Sequence, residues 1–296
     1  MIKIIERREI DIVKWDVLVL TTNNTTIFST SVYLDSIAEN WCLLVDEDYT
    51  FGIAIPYVIR LGVKQIYIPI FGRYLEWVGV DTFKKNVLKL LKENFRVADF
   101  YLRSTFEGKV EAVTNYQELV DLKLNSQAKR MITKFQKSGI EIQPINDSKT
   151  KHDLVLLIMD ELKEKVDVFN GKSRQVMLQL TENLDQWKYI NYLGFYFEGD
   201  LVGGMIFSQF NNRITYIKGA CKETYKKQGA MYACMNNVIL DSINNGKVFD
   251  FGGSRIESIR RFNLSFGAID VDYYRYSWND APFWWRIMKM IREIVK

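Results

Sequence analysis

A weak internal repeat is the feature that most constrains how this 296-residue sequence can fold. Three short apolar runs separated by turns, followed by an amphipathic helix, occur twice at an offset of about 150 residues. The first copy lies at 42–45, 51–58, 65–71 and 83–95. The second copy lies at 193–197, 201–210, 213–220 and 230–243. Antiparallel strands that lead into a helix are typical of an α+β fold, and the repeat predicts two similar domains.

The second copy continues into an apolar strand at 248–251, which ends in Gly252, Gly253 and Ser254. Two glycines at a strand end let a ligand or another backbone segment approach closely. Ser254 is placed to cap a helix predicted at 255–266. A binding site and an ordinary tight turn with a helix cap are both consistent with this segment.

The polar, turn-like stretch at 144–151 is the predicted domain boundary, which gives an N-terminal domain 1–146 and a C-terminal domain 147–280. A last helix at 281–296 begins near Pro282 and combines an apolar stripe with basic residues. Such a helix either docks on the body of the protein, completing the N-terminal domain, or lies on an anionic membrane surface. Docking is the favoured interpretation.

Composition excludes several classes of function. The formal net charge of +4 permits an anionic ligand without requiring one. His152 is the only histidine and the three cysteines form no C-x-x-C pair, so we expect neither a metal site nor a disulfide framework. The sequence shows no signal peptide and no transmembrane helix, which makes the cytoplasm the expected location.

Several short motifs, taken in order, resemble one family. The motifs are IFSTSVYL at 27–34, NSQAKR at 125–130, FYFEGDLVGG at 195–204, DFGGS at 250–254 and RFNLSFGA at 261–268. Together they resemble the GNAT superfamily of acyltransferases, and in particular its Fem-type branch. The resemblance implies two tandem GNAT-like domains, each a mixed, mostly antiparallel sheet flanked by helices. It also implies an N-acyltransferase or aminoacyltransferase.

The resemblance implies a donor and an acceptor as well. Fem-type members attach an amino acid carried by tRNA to an amine of a peptidoglycan precursor, whereas other GNAT members use acyl-CoA. The expected co-substrate is therefore acyl-CoA or aminoacyl-tRNA, with no tightly bound cofactor. The expected acceptor is an amine of a small molecule or of a cell-wall precursor.

The donor-binding candidates lie at the start of the predicted helix 230–243. The stretch YKKQGAM at 225–231 occupies the place of the family's phosphate-binding loop, and backbone N–H groups at a helix N-terminus hold phosphates well. The candidates are Lys226, Gln228, Gly229 and Ala230. Met231 stands where the family has a small residue, so a plain helix start with a basic cap is an equal alternative.

The catalytic candidates are Asn263, Glu223 and Tyr192. Asn263 takes the position of a lysine in the Fem-type helix, where its amide can donate a hydrogen bond to an oxyanion without supplying charge. Glu223 is a candidate general base and Tyr192 a candidate general acid, although no base is singled out by the sequence.

The candidates for substrate binding come from both predicted domains. They are Arg73, Tyr74, Gly252, Gly253, Ser254, Arg261 and Phe262. Arginine grips an anionic acceptor with paired hydrogen bonds and tyrosine offers stacking. An ordinary surface loop is an equal interpretation of Arg73 and Tyr74.

Two rival functions remain open. The departures at Met231 and Asn263 are consistent with a degenerate transferase that binds without catalysing. The basic helix at 126–138, with Lys129, Arg130 and Lys134 on its polar face, is consistent with an RNA-binding protein.

Overall fold

The structure is a computed structural model that describes residues 2–80, 86–105, 111–119, 121–163, 171–185, 188–253, 256–285 and 287–288. The chain divides into two compact units. Unit 1 comprises Met1–Thr22, Phe28–Val113 and Tyr273–Lys296. Unit 2 comprises Asn23–Ile27 and Thr114–Asp272. Each unit is an α+β structure, as the sequence predicted.

Unit 1 contains a mixed arrangement of strands together with α-helices. They are β1 (Ile2–Glu6), α1 (Ile12–Thr21), α2 (Ser31–Ile37), β2 (Asn40–Asp46), β3 (Phe51–Arg60), β4 (Val63–Ile66), β5 (Val78–Gly79), α3 (Val87–Asn94) and β6 (Val97–Leu102). Strands β1, β2, β3 and β4 pair antiparallel in that order, and β4 pairs in parallel with β6.

Unit 2 holds the middle of the chain. Its elements are β7 (Glu111–Leu119), α4 (Ser126–Phe135), β8 (Ile140–Pro144), α5 (Ser148–Lys163), α6 (Gly171–Asn183), β9 (Ile190–Phe197), β10 (Asp200–Phe210), β11 (Arg213–Cys221), α7 (Ala230–Asn244), β12 (Val248–Gly253) and α8 (Glu257–Leu264). The last strand, β13 (Ile269–Asn279), begins in unit 2 and ends in unit 1. Strands β8, β9, β10 and β11 pair antiparallel, and β11 pairs in parallel with β12.

The internal repeat is present in the structure and is longer than the sequence indicated. In both units a strand and two helices precede three antiparallel strands, a helix and a strand that pairs in parallel. The additional elements are β1, α1 and α2 in unit 1 and β8, α5 and α6 in unit 2. The apolar runs were detectable because strands such as β2 and β10 are buried along most of their length.

Strands that are distant in sequence pair with the strands of each unit. β13 pairs antiparallel with β6 in unit 1, and β7 pairs antiparallel with β12 in unit 2. Residues 114–146, which the sequence analysis assigned to the N-terminal domain, therefore belong to unit 2. Local periodicity carries no information about which distant strand an edge strand will join.

Each unit has its own apolar core. In unit 1, α3 packs Val87 and Leu91 against the strand residues Ile53 and Phe100. In unit 2 the core lies between α7 and the sheet, and its largest members are Phe195, Phe207, Phe249, Phe251 and Phe266.

Some boundaries differ from those predicted. The strand expected at 65–71 ends at Ile66, because the next residue of the partner strand β3 is Pro56, which has no N–H to donate to the ladder. The stretch expected to be a turn at 144–151 contains the end of β8 and the first turn of α5. Ser254, the expected helix cap, lies outside the described residues.

Candidate functional site

Strands β11 and β12 of unit 2 pair over a short stretch and then part. Their register runs from Arg213 opposite Val248 to Thr215 opposite Asp250, although β11 continues to Cys221. Beyond Asp250, a register shift in the pairing with β7 precedes Gly252. The pairing of β11 with β12 thus ends at Asp250, the first residue of the DFGGS motif.

A buried ion cluster holds the strand end at this opening. Arg213 Nη1 lies 2.6 Å from Glu118 Oε1 and 3.3 Å from Asp250 Oδ2. The Gly252 N–H donates to Asp250 Oδ1 at 2.7 Å, and Gly252 has a φ of +71°. Asp250 is fully buried, so its carboxylate fixes the glycine turn by charge and hydrogen bonding.

The predicted catalytic residue Asn263 is part of an internal hydrogen-bond chain. Only 2% of its surface is exposed, and its Nδ2 donates to Gln117 Oε1 at 3.1 Å. Gln117 Nε2 in turn donates to Asp270 Oδ1 at 3.0 Å, and Asp270 is paired with Arg260. Burial opposes the ionisation of Asp270, yet hydrogen bonds from Arg260 and Gln117 prevail and lower its pKa.

The predicted donor-binding loop is packed beneath helix α4. The loop is a 3-10 turn, Glu223–Gln228, followed by Gly229 with a φ of +90° and then by α7. A Cβ atom at Gly229 would lie 2.1 Å from the carbonyl oxygen of Met131 on α4. Ala230, the first residue of α7, is buried. The backbone of Gly229, directly before α7, is therefore in close contact with α4.

Two charged members of that loop pair with side chains of the protein. Lys226 forms ion pairs with Glu223 and, at 3.5 Å, with Glu161 of α5. Glu223 itself is largely exposed. Cys221, at the end of β11, has its pKa raised to about 11 by burial, which keeps the thiol protonated.

Tyr192 lies in another part of unit 2. It is buried beneath the Lys151 ammonium, which stands 5.5 Å from the ring centroid. Burial raises the pKa of Tyr192 to about 12. The strand order β9-β10-β11-β12-β7 separates Tyr192 from Asn263, whose side chain bonds to β7, by four strand spacings or roughly 19 Å. The structure does not bring these two candidates together.

The unit 1 candidates belong to an aromatic cluster. Tyr74 is buried, with its ring 5.8 Å from that of Phe28 and 4.8 Å from that of Tyr273. The Arg73 guanidinium lies over Phe28 at 5.7 Å. Beneath them, the buried carboxylate of Glu76 accepts a hydrogen bond from Ser29 at 2.9 Å.

The remaining candidates lie on or near α8. Arg261 is exposed and stands 3.5 Å from Glu257 of the same helix. Phe262 packs edge-to-face with Tyr232 of α7 at 4.7 Å. Gly253 is exposed at the end of β12, and Ser254 lies outside the described residues.

The outer face of α4 is strongly basic. Lys129, Arg130, Lys134 and Lys137 are all exposed on it or directly after it. The inner side of α4 contributes Phe135 to the unit 2 core, and Asn125 caps the helix by accepting from the Ala128 N–H at 2.9 Å. Sequence reasoning found the basic face but missed that α4 covers the donor loop, for which Gly229 was the only signal.

Among the described residues, no helix has both the length and the apolarity needed to cross a bilayer. Within the same ranges, no three histidine, cysteine or acidic side chains are grouped so as to hold a metal ion.

Similarity to known proteins was found at the level of structure. No family model matches the sequence, and no curated protein does. FemX superposes with a TM-score of 0.64 at 10% identity, covering 91% of this chain and 96% of its own. The C-terminal domain of a putative lysylphosphatidylglycerol synthetase from Agrobacterium fabrum gives 0.62 at 12% identity, covering 96% of both chains.

A tandem GNAT protein from the clavulanic acid biosynthesis pathway gives a TM-score of 0.50 at 8% identity, covering 95% of this chain and 99% of its own. These likenesses extend over nearly the whole chain. The chain therefore has the fold of the GNAT superfamily in its Fem-like form, as the motifs indicated. At such low identity the likeness establishes the fold alone.

Proposed function

We propose that this protein is an aminoacyltransferase built from two tandem GNAT-like domains, and that it moves an amino acid from aminoacyl-tRNA to an amine. The observation that carries the choice of donor is the close packing of α4 on Gly229. Support for the reaction class comes from the fold shared with FemX and with the lysylphosphatidylglycerol synthetase domain.

The close approach of α4 to the start of α7 argues against acyl-CoA as the donor. Binding a pyrophosphate there requires open N–H groups and space for its oxygens. The carbonyl of Met131 already approaches Gly229 closely, and Ala230 is buried. An aminoacyl-tRNA needs no such pocket, because its phosphates bind on the outside and only its aminoacyl end has to reach the reacting amine.

The exposed face of α4 offers the phosphate contacts that a tRNA would need. Lysine and arginine side chains neutralise backbone phosphates and release counterions, which supplies most non-specific affinity for nucleic acid. Lys129, Lys134 and Lys137 are exposed there, and Lys222 and Lys227 of the adjacent loop are exposed as well.

The proposed reaction is nucleophilic acyl substitution at the aminoacyl ester. The acceptor amine attacks the ester carbonyl carbon, a C–N bond forms, and the C–O bond to the tRNA ribose breaks. The proton lost by the amine ends on the ribose oxygen. The parting of β11 and β12, with glycines at its edge, is where we place the aminoacyl end. The acceptor we propose is an amine of a cell-wall precursor.

The donor assignment is tested by comparing two ligands. We expect bulk tRNA to bind, by fluorescence anisotropy, with a logarithmic salt dependence that a Lys129→Gln/Lys134→Gln/Lys137→Gln variant reduces by about two to three, since each phosphate contact contributes about 0.7 to 0.9. A Lys149→Gln/Lys163→Gln/Lys188→Gln variant removes the same charge from exposed positions elsewhere in unit 2 and should leave the slope unchanged. Stabilisation by acetyl-CoA, together with equal slopes for the two variants, would refute the proposal.

A second candidate function is a binding module without catalysis. It is favoured by Asn263, because the amide in the place of the Fem-type lysine is buried and already bonded to Gln117. This candidate predicts the same tRNA affinity with no transfer to any amine. An assay of aminoacyl transfer therefore distinguishes the enzyme from the binding module, whereas a tRNA-binding assay does not.

A further inference from the structure

An exposed aromatic surface lies near the end of the described chain, in unit 1. Residues 283–285 and 287–288 are helical. Phe283 is 78% exposed and Trp284 53% exposed, and Ile287 and Met288 are exposed beside them at helical spacing. Trp285, by contrast, is buried, and its indole N–H donates to the carbonyl oxygen of Arg60 at 2.8 Å. The segment is therefore anchored by one tryptophan while its other large side chains face outward.

The anchor places this helical segment against the turn between β3 and β4. Arg60, the acceptor of the Trp285 bond, is flanked by Ile59 and Leu61, which are both exposed. Leu61 has a φ of +49° and Gly62 one of +73°, a turn in which two successive residues are left-handed. Ile59 and Leu61 are therefore exposed on either side of the residue that anchors the segment. We refer to the exposed apolar side chains of Ile59, Leu61, Phe283, Trp284, Ile287 and Met288 as the aromatic surface.

The composition of the aromatic surface favours a lipid bilayer as its partner. Contiguous exposed apolar patches are rare on proteins that act without a partner, and tryptophan and phenylalanine beside basic residues are typical of the water–bilayer interface. The sequence at 282–296 carries four basic residues and a single acidic one, Glu293. Arg96 is exposed and adjoins the start of the segment, where the Asp280 N–H donates to its carbonyl oxygen at 2.7 Å.

We propose that the aromatic surface binds the interface of an anionic lipid bilayer. Phe283 and Trp284 enter the headgroup region together with Ile59 and Leu61, and the exposed Arg96 meets the lipid phosphates. Trp285 holds the segment in place from within unit 1. The inference rests on unit 1 alone and does not depend on the donor or on the reaction proposed above.

Co-sedimentation with vesicles tests this proposal. The full chain should bind vesicles of phosphatidylcholine with 30% phosphatidylglycerol more tightly than pure phosphatidylcholine, because charge attraction adds to apolar burial. A Phe283→Ser/Trp284→Ser variant should lower the partition coefficient at least about ten-fold. Its folding is checked by circular dichroism and thermal unfolding, since both side chains are exposed and Trp285 is untouched.

The matched control is Val13→Ser/Val17→Ser, which removes two exposed apolar side chains from α1 in the same unit. We expect this variant to bind vesicles as the unaltered chain does. No binding of the unaltered chain, or an equal loss for both variants, would overturn the assignment. Concentration-dependent self-association that the Phe283→Ser/Trp284→Ser change abolishes, without vesicle binding, would also overturn it and identify a second copy as the partner.

Discussion

At the scale of single residues, close contacts decide what each candidate can contribute. The Asn263 amide is hydrogen-bonded to Gln117. The Asp250 carboxylate pairs with Arg213 and accepts a hydrogen bond from the Gly252 N–H. Both side chains therefore stabilise the local structure. Gly229 is the position where the absence of a side chain matters most, because α4 approaches its backbone directly.

Replacing Gly229 by alanine should destabilise the protein for two reasons. Its φ of +90° costs an L-residue about 1–2 kcal/mol, and the clash with the Met131 carbonyl adds about 1–3 kcal/mol. Gly246→Ala is the matched control, because Gly246 has a φ of +65° but nothing within 4 Å of the point where a Cβ atom would lie. Urea denaturation should show the larger loss for Gly229→Ala, and equal losses would mean that α4 does not press on the donor loop.

At the scale of elements, apolar periodicity predicted the repeated strands and helices. It could do so because the buried residues of one strand or helix lie close together in the sequence. It missed β8, whose apolar residues Ile140 and Ile142 alternate with polar ones over too few positions to distinguish a strand from a loop. It also missed how α5 and α6 are joined. The Lys151 ammonium of α5 donates to the Asp185 carboxylate, just beyond α6, at 2.6 Å, and Ser148 donates to the same carboxylate.

This connection predicts a pH dependence of stability. The hydrogen bonds from Lys151 and then Ser148 lower the pKa of Asp185, so its contribution is present above the unfolded value of about 4 and is lost as the pH falls through the folded value. The difference in unfolding free energy between the unaltered protein and Asp185→Asn should be constant from pH 7 to about pH 5 and shrink in more acidic solution. Urea denaturation at several pH values checks this. A difference that grows in acid would contradict the assigned role of Asp185.

At the scale of the whole molecule, the α+β class, the repeat and the Fem-like form of the GNAT fold were predictable from ordered short motifs. The extent of the compact units was not, because β7 and β13 join sheets whose other strands are distant in sequence. The local structure around the candidate residues was predictable, since α7 begins at Ala230 and β12 ends at Gly253 as the motifs indicated. The burial and hydrogen bonding of Asn263 and Tyr192 were not, because they depend on tertiary neighbours.

We propose that this protein transfers an amino acid from aminoacyl-tRNA to an amine. The most direct test incubates the protein with aminoacyl-tRNA or with acetyl-CoA and a set of UDP-linked sugar–peptide precursors, and follows the precursors by mass spectrometry. We predict a precursor heavier by one aminoacyl group in the presence of aminoacyl-tRNA and no acetylated product. Acetylated precursor formed from acetyl-CoA, or no product from either donor, would contradict the proposed transfer from aminoacyl-tRNA.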